Sequence, residues 1–374
     1  MKILITGASG FIGSFIVEEA LRRGFETWAA VRKSSSREYL QDERIRFIEL
    51  NLSSKEQLVE QLRDKDFDYV VHAAGVTKCL NKQDFHRINT EGTKNLADAL
   101  LDVGMPLKRF VFISSLSIFG AIREQQPYEE IRETDTPRPN TAYGQSKLAA
   151  EQYLDSLGSR LPYIILRPTG VYGPREKDYF IMAKSIKQHS DFAVGYKRQD
   201  ITFVYVEDVV QAVFLALSVP LKSSPSQGIP TKSSPSQGIP TKSSPSQGIP
   251  TKSSPSQGES EGVPNGRKYF LSDGEVYQSA TFSDLIHEEL GRPWWIRITA
   301  PVWVLRIITF CGEYIGRMTG KVTALNNDKY NILRQRNWRC DIQPAIRELG
   351  YQPTVKLAEG VKRTIKWYKD NRWL

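Results

Sequence analysis

Through the first 170 residues, short apolar runs alternate with amphipathic stretches. KILIT, ETWAAV, RFIEL, DYVVHAA, RFVFISS and PYIILRP read as strands, and the segments between them repeat apolar positions at helical spacing. The first helix is predicted from Phe11 to about Arg23, closed by Gly24. Strands that alternate with helices in this way imply α/β architecture, a doubly wound parallel sheet covered on both faces. Further on come the strand ITFVYV, a helix through EDVVQAVFLAL, the strand KYFLS, and helical segments near 281 to 290 and 301 to 316.

One tract breaks the pattern. Residues 222 to 258 read KSSPSQGIPT three times and then KSSPSQG, with no apolar face at any period. Such a segment buries too little to offset its own ordering entropy, so 220–263 is expected to be a disordered surface loop rather than a solenoid. The tract also changes the meaning of the net charge of +9: it holds four lysines and no acid, leaving +5 elsewhere. That is an ordinary balance, and no nucleic-acid partner is expected. With 40% hydrophobic and 25% charged residues, the 374-residue chain can bury one large α/β domain or two modest ones.

Cys79, Cys311 and Cys340 are widely spaced and odd in number, which suits reduced thiols, and no metal-ligand spacing is present. MKILITG enters a strand directly, without a basic leader and apolar stretch, so a cytoplasmic location is expected.

Two stretches carry chemistry. In GASGFIG, Gly7, Gly10 and Gly13 stand at a strand-to-helix turn, where missing side chains let a pyrophosphate reach backbone amides at a helix N-terminus. The plainer alternative is a glycine-rich turn without a ligand. In AYGQSK, Tyr143 and Lys147 lie one helical turn apart on one face. A fixed ammonium beside a phenol favours the phenolate and lowers the phenol's pKa. Taken alone, Y-x-x-x-K is commonly a solvated helix face, so the pair needs its context.

That context is HAAG at 72–75, NTEGT at 89–93, FISSLSIFG at 112–120 and LRPTGVYGPR at 166–175, in that order around the two stretches. Together they resemble the extended short-chain dehydrogenase/reductase family, also called the NAD-dependent epimerase/dehydratase family, over nearly all of 1–217. The resemblance implies a Rossmann domain over 1–170, with 200–218 returning to it, and a smaller substrate domain from 171–199 and 264–374. It also implies roles. Ser115 would hydrogen-bond the substrate oxygen, Tyr143 would be the acid/base, Lys147 would lower the tyrosine's pKa and bind the nicotinamide ribose, and Asn89 would help hold that assembly. Ser114 and Ser117 read as strand-end hydroxyls bonded to backbone, and His72 as a strand-end residue packed near the cofactor. The cofactor would meet Gly7, Ser9, Gly10, Phe11, Ile12 and Gly13 at the turn, Asn51 and Leu52 near the adenine, Ala73, Ala74 and Gly75 under the phosphates and ribose, and Pro168 and Val171 beyond.

After the second strand, where an NAD enzyme usually carries an acid, stand Arg32 and Lys33. That favours the 2′-phosphate of NADP, with NAD left open and an exposed basic loop as the plain alternative. Sugar-nucleotide dehydratases of the family carry Asp-Glu after the catalytic threonine; here the pair is Leu116-Ser117. Epimerases often carry a diphosphate-binding arginine where this chain has Ile201, although Arg198 or Arg175 could substitute. The segment PWWIRITAPVWVLRIITFCGEYIG at 293–316 suits an apolar ligand. A stripe like this is most often plain core, otherwise a lipid-lined pocket or peripheral membrane contact, and its charges keep it short of a membrane span. The pattern resembles the 3β-hydroxysteroid dehydrogenase and dihydroflavonol reductase branch. The expected function is an NAD(P)-dependent oxidoreductase interconverting a secondary alcohol and a ketone on an apolar small molecule. A nucleotide-sugar epimerase with bound NAD and a non-catalytic nucleotide-binding module are the alternatives. Homodimerisation through the helices bearing Tyr143 and near Asn89 is common in the family.

Overall fold

A computed structural model describes residues 1–222, 262–292, 294–319 and 327–374. Its first half alternates β1 (Lys2–Thr6), α1 (Phe11–Arg22), β2 (Glu26–Val31), β3 (Arg46–Glu49), α2 (Lys55–Leu62), β4 (Tyr69–His72), α3 (Lys82–Phe85), α4 (Gly92–Asp102), β5 (Arg109–Ile113), α5 (Ala142–Leu157) and β6 (Tyr163–Pro168). The six expected strands are all present. There follow β7 (Gly170–Tyr172), α6 (Lys177–Lys187), β8 (Ser190–Val194), β9 (Asp200–Ile201), β10 (Phe203–Tyr205), α7 (Val206–Ser218), β11 (Arg267–Leu271), β12 (Tyr277–Gln278), α8 (Thr281–Glu289), β13 (Ile296–Ala300), α9 (Val302–Thr319), α10 (Asn327–Arg334) and α11 (Leu357–Asp370).

The main sheet has the order β11-β6-β5-β4-β1-β2-β3, and every pairing in it is parallel. Side chains of β1 alternate between two cores, as the period of a strand requires. Ile3 and Ile5 pack with Ile16 and Val17 of α1 and Val209 and Val213 of α7. Leu4 packs with Leu58 of α2, Leu96 of α4 and Leu154 of α5. Burying each such side chain is worth ~1.5–3 kcal/mol, so helix layers on both faces are what stabilise a strand as apolar as KILIT. The strand order reverses between β1 and β4, which opens a crevice at the carboxyl ends of the strands.

A third core joins Tyr172, Phe203 and Tyr205 to Phe282 and Ile286 of α8 and Val361, Ile365 and Tyr368 of α11. The expected boundaries need two adjustments. β11, placed by sequence with the substrate part, is the seventh strand of the main sheet, where it pairs with β6 through Tyr269, Phe270 and Leu271. ITFVYV divides at Thr202, whose hydroxyl donates to the Trp338 carbonyl at 2.6 Å while its own carbonyl accepts from Thr169.

The repeats expected to form a disordered loop lie outside the described residues beyond Lys222. The chain on either side is pinned: Leu221 bridges Val263, and the Lys222 N–H donates to the Val263 carbonyl at 2.8 Å. The segment expected to serve most often as plain core does something else. In α9 Leu305 and Thr309 are buried, whereas Trp303, Ile307, Phe310 and Tyr314 are exposed. Periodicity locates an apolar stripe on a helix but not the side it presents. Among the described residues no helix is long and apolar enough to cross a membrane.

Candidate active site

The β1–α1 turn is built by close approach. Gly7 has a φ of +70°, and a Cβ there would meet the Ala73 and Ala74 backbone at 2.6 Å; a Cβ at Gly13 would sit 2.1 Å from the Gly7 carbonyl oxygen. These two contacts seat α1 against the ends of β1 and β4. Gly10 caps α1 with no side-chain hydrogen bond, and no acid stands in its first turn. The N–H groups of Phe11, Ile12 and Gly13 therefore have no helical acceptor and suit a pyrophosphate, with Ser9 partly exposed beside them. The residues present thus fit a dinucleotide.

Other expected contacts stand at or just past the ends of strands. Arg32 and Lys33 follow β2, exposed, and among the described residues neither pairs with a carboxylate; Ser35 Oγ accepts the Arg32 N–H at 3.0 Å. Asn51 follows β3 and is engaged by its own neighbours, donating from Nδ2 to Gln57 at 2.7 Å, while the Leu52 carbonyl accepts from Asn95. Ala73, Ala74 and Gly75 continue β4, and the N–H of Ala74 donates to Thr6 Oγ1. Pro168 ends β6, and Val171 in β7 packs against the first core.

Asn89 sits in a π-helical turn, His86–Glu91, and is fully buried. Its Oδ1 accepts the Val76 N–H at 2.8 Å, and its Nδ2 donates to the Val76 carbonyl and the Ser146 hydroxyl, both at 3.0 Å. One side chain thus ties the chain beyond β4 to α5. The Ser146 hydroxyl in turn donates to the Tyr143 carbonyl at 2.7 Å. Ser146 lies inside the AYGQSK stretch and could have been noticed from its place beside Lys147.

α5 begins at the cap Thr141, whose hydroxyl accepts the Gly144 N–H, and it carries Tyr143 and Lys147 on one face as expected from their spacing. The Lys147 ammonium donates to the Ile113 carbonyl at 2.9 Å and lies 4.7 Å from the centre of the Phe112 ring. A Cβ at Gly75 would be 3.3 Å from Lys147 Nζ and 3.0 Å from Asn89 Oδ1, so the three converge. Burial pulls Lys147 down to about 8, against the attraction of Glu151 one turn along, which is itself held by Arg167 at 2.5 Å.

Tyr143 departs from expectation. Burial pushes the phenol up to about 12, opposed by a hydrogen bond with Ser115 that pulls it down. The lowering expected from Lys147 is absent among the protein's own groups, because desolvation dominates and the ammonium is drawn to Ile113. At neutral pH the phenol therefore keeps its proton.

Ser115 also accepts the Ser117 N–H at 3.1 Å and donates to the Ser117 hydroxyl at 3.0 Å, at the start of a 3-10 turn whose Leu116 is core. Ser114 was expected to bond backbone; instead its oxygen is buried without a partner among the described residues, while its N–H is taken by Leu166 in the sheet. His72 does more than pack. Thr93 donates to the Asn89 carbonyl and so accepts from His72 Nε2, which leaves Nδ1 to accept from Thr6 at 2.6 Å. Buried and near Lys147, the imidazole is pulled down to about 3 and stays neutral.

One partner had no signal in the sequence: Asp328 of α10, whose carboxylate accepts the N–H groups of Ala142 and Tyr143 at 3.0 and 3.3 Å. The same helix lines, through Tyr330 and Arg334, a cavity of about 950 Å³ shared with Tyr128, Lys197, Arg198 and Arg336, whose lining includes none of Ser115, Tyr143 and Lys147. Of the two arginines suggested as diphosphate ligands, Arg198 binds Asp200 at 2.7 Å. Arg175 lies elsewhere, donating to Ser14 on α1 and stacked 4.3 Å over Phe15 and 4.5 Å over Tyr39. It therefore sits against α1.

Comparison with known proteins agrees with this geometry. The model of the NAD dependent epimerase/dehydratase family matches residues 3–227. The UDP-glucose 4-epimerase of Vibrio cholerae is 24% identical, over 97% of this chain and 94% of its own. The 3beta-hydroxysteroid-dehydrogenase/decarboxylase isoform 1 of Arabidopsis thaliana is 26% identical over 88% of this chain and 68% of its own. The crystal structure of UDP-glucuronic acid 4-epimerase from Bacillus cereus in complex with NAD superposes with a TM-score of 0.70 at 19% identity, over 99% of both chains, a likeness of fold. A glycine turn that fits a dinucleotide, beside a half-buried Tyr and a buried Lys on one helix face, is thus found in a chain that belongs to the NAD dependent epimerase/dehydratase family.

Proposed function

We propose that this chain is an NAD(P)-dependent oxidoreductase that interconverts a secondary alcohol and a ketone on an apolar small molecule. The observation that carries the reading is the convergence of Ser115, Tyr143 and Lys147 at the carboxyl edge of β5 and the head of α5, beside the glycine turn. The bound cofactor supplies or accepts the hydride. In the reducing direction, the Tyr143 hydroxyl gives its proton to the carbonyl oxygen as that oxygen gains charge, and the Ser115 hydroxyl hydrogen-bonds the same oxygen. A phenol protonated at neutral pH is in the form this direction needs. Lys147 holds the ribose hydroxyls, and Asn89 keeps α5 in register with the chain beyond β4.

NADP is the preferred cofactor in this reading, because among the described residues Arg32 and Lys33 pair with no carboxylate, where an acid would repel a 2′-phosphate. The apolar substrate rests on what stands in place of sugar-nucleotide machinery. Leu116 is packed in the core where a dehydratase has an acid, and Ile201 pairs with Tyr277 where an epimerase has an arginine.

A second reading, nucleotide-sugar epimerase, is favoured by one observation: the cavity beside α10 presents Lys197, Arg334 and Arg336, which suit a diphosphate. A cofactor-absorbance screen separates the two. NADPH or NADH would be followed with steroid-like, flavonoid-like and long-chain ketones beside UDP-, GDP- and dTDP-sugars, with product analysis for epimers. Cofactor oxidation matched by alcohol from an apolar ketone supports the first reading; epimers from a sugar nucleotide, with no reaction on any apolar ketone, replace it with the second.

A further inference from the structure

Helix α9 is amphipathic with its apolar side turned outward. Trp303, Ile307, Phe310, Tyr314 and Met318 follow one another at intervals of four or three, so they form one stripe, and each is between 55% and 72% exposed. The stripe runs for roughly 22 Å along the helix. The inward side is held by Leu305 and Thr309. The same chain segment supplies a second apolar face. In the two-stranded sheet β8–β13, Phe192 is paired in register with Ile298, and both are exposed together with Ile296 and the preceding Trp294. β13 leads into α9 through Pro301 alone.

Charge decides what such a surface fits. Residues 184–197 and 292–319 contain seven Lys and Arg, of which Arg292 pairs with Glu288 and Arg297 with Asp191 and Asp284, and two carboxylates of their own, Asp191 and Glu313. Asp191 is buried and bound by Arg297 at 2.8 Å, and one oxygen of Glu313 is buried too. Lys184, Lys187 and Arg306 are exposed, and among the described residues none of them has a carboxylate partner. The outer surface is therefore aromatic, aliphatic and cationic.

We infer that the face formed by α9 and the β8–β13 sheet docks on an anionic lipid surface, with the stripe lying in the plane of the membrane interface. Trp and Tyr side chains suit the boundary between headgroups and acyl chains, and unpaired Lys and Arg beside them are attracted to anionic headgroups. A second copy of the chain fits less well, because an isologous contact brings two copies of the same cationic face together. The inference stands apart from the substrate reading, since no turnover is needed to test it.

The full-length protein would be co-sedimented with vesicles of phosphatidylcholine alone and of phosphatidylcholine with about one-third phosphatidylglycerol. Binding to the anionic vesicles is expected, reduced about tenfold or more by Ile307→Asp with Phe310→Asp, and separately by Lys184→Glu with Lys187→Glu. The four positions are exposed, and an unchanged melting temperature confirms folding. Wild-type protein that stays in the supernatant with both vesicles overturns the inference. Equal binding to neutral and anionic vesicles overturns its electrostatic part. A dimer in sedimentation velocity that Ile307→Asp with Phe310→Asp dissociates, without vesicle binding, assigns the face to a second copy instead.

Discussion

The carboxylate of Asp328 accepts the backbone N–H of Ala142 at 3.0 Å, across 186 positions of sequence. It also takes the Tyr143 N–H, so the first turn of α5 is closed by a residue of α10. An acid at a helix N-terminus satisfies orphan donors and opposes the positive end of the helix dipole. Asp328→Ala should cost about 1 kcal/mol of stability. Because the loss falls on the turn that aims the phenol, kcat should drop about tenfold with little change in cofactor affinity. Asp328→Asn, which keeps an acceptor, should fall between. Steady-state kinetics beside cofactor titration checks this; a loss confined to cofactor binding would show that Asp328 does not act through Tyr143.

Lys147 predicts a pH dependence of stability. Burial holds its folded pKa at about 8, against 10.5 for the unperturbed group. Below about 8 both states carry the proton, and the folded state bears the full desolvation cost. Between the two values the folded protein has lost a proton that the unfolded chain keeps, so this group's contribution to stability rises with pH, by up to roughly 3 kcal/mol. Urea unfolding of the wild type and of Lys147→Met from about pH 7 to about pH 10 should show a gain in the wild type relative to the variant. Parallel curves would contradict a depressed lysine.

Arg32 and Lys33 stand exposed past β2, paired with no carboxylate among the described residues. Arg32→Asp should therefore weaken NADPH by about tenfold or more, through loss of a charge-assisted contact and gain of a repulsive one, while NADH changes little. Fluorescence titration with both cofactors measures the ratio, and equal losses would remove the argument for NADP.

The backbone pair between Lys222 and Val263 holds the chain together at the root of the repeats. Deleting 223–258 should then leave melting temperature and turnover unchanged within error, since closure cost varies slowly with loop length. A lowered melting temperature would show that the repeats contribute packing.

Much of the fold is legible in local sequence because β1, β5 and β6 are apolar runs buried on both faces, and burial on both faces leaves a continuous signal. The meeting of Ser115, Tyr143, Lys147 and Asn89 is foreseeable where motifs sit at strand ends and helix starts. What depends on distant packing is not. β11 reads as a strand, yet nothing local says that it adds beside β6. Asp328 reaches α5 from the other end of the chain. The Tyr143 phenol rises because of what encloses it, a property of the tertiary structure, although its spacing from Lys147 suggests the opposite. The α9 stripe is plain in the sequence, but its orientation is set by Leu305 and Thr309 packing inward.

The central claim is that hydride goes to an apolar ketone whose oxygen takes a proton from Tyr143. Its most direct test follows deuterium from 4-deuterated NADPH, using the best ketone from the screen, with product and oxidised cofactor quantified together. The account predicts one deuterium on the carbinol carbon per cofactor oxidised, with turnover lost by about a hundredfold or more in Tyr143→Phe while cofactor binding stays intact. Deuterium that never reaches a released alcohol, or a Tyr143→Phe variant that transfers it at the wild-type rate, would contradict the account.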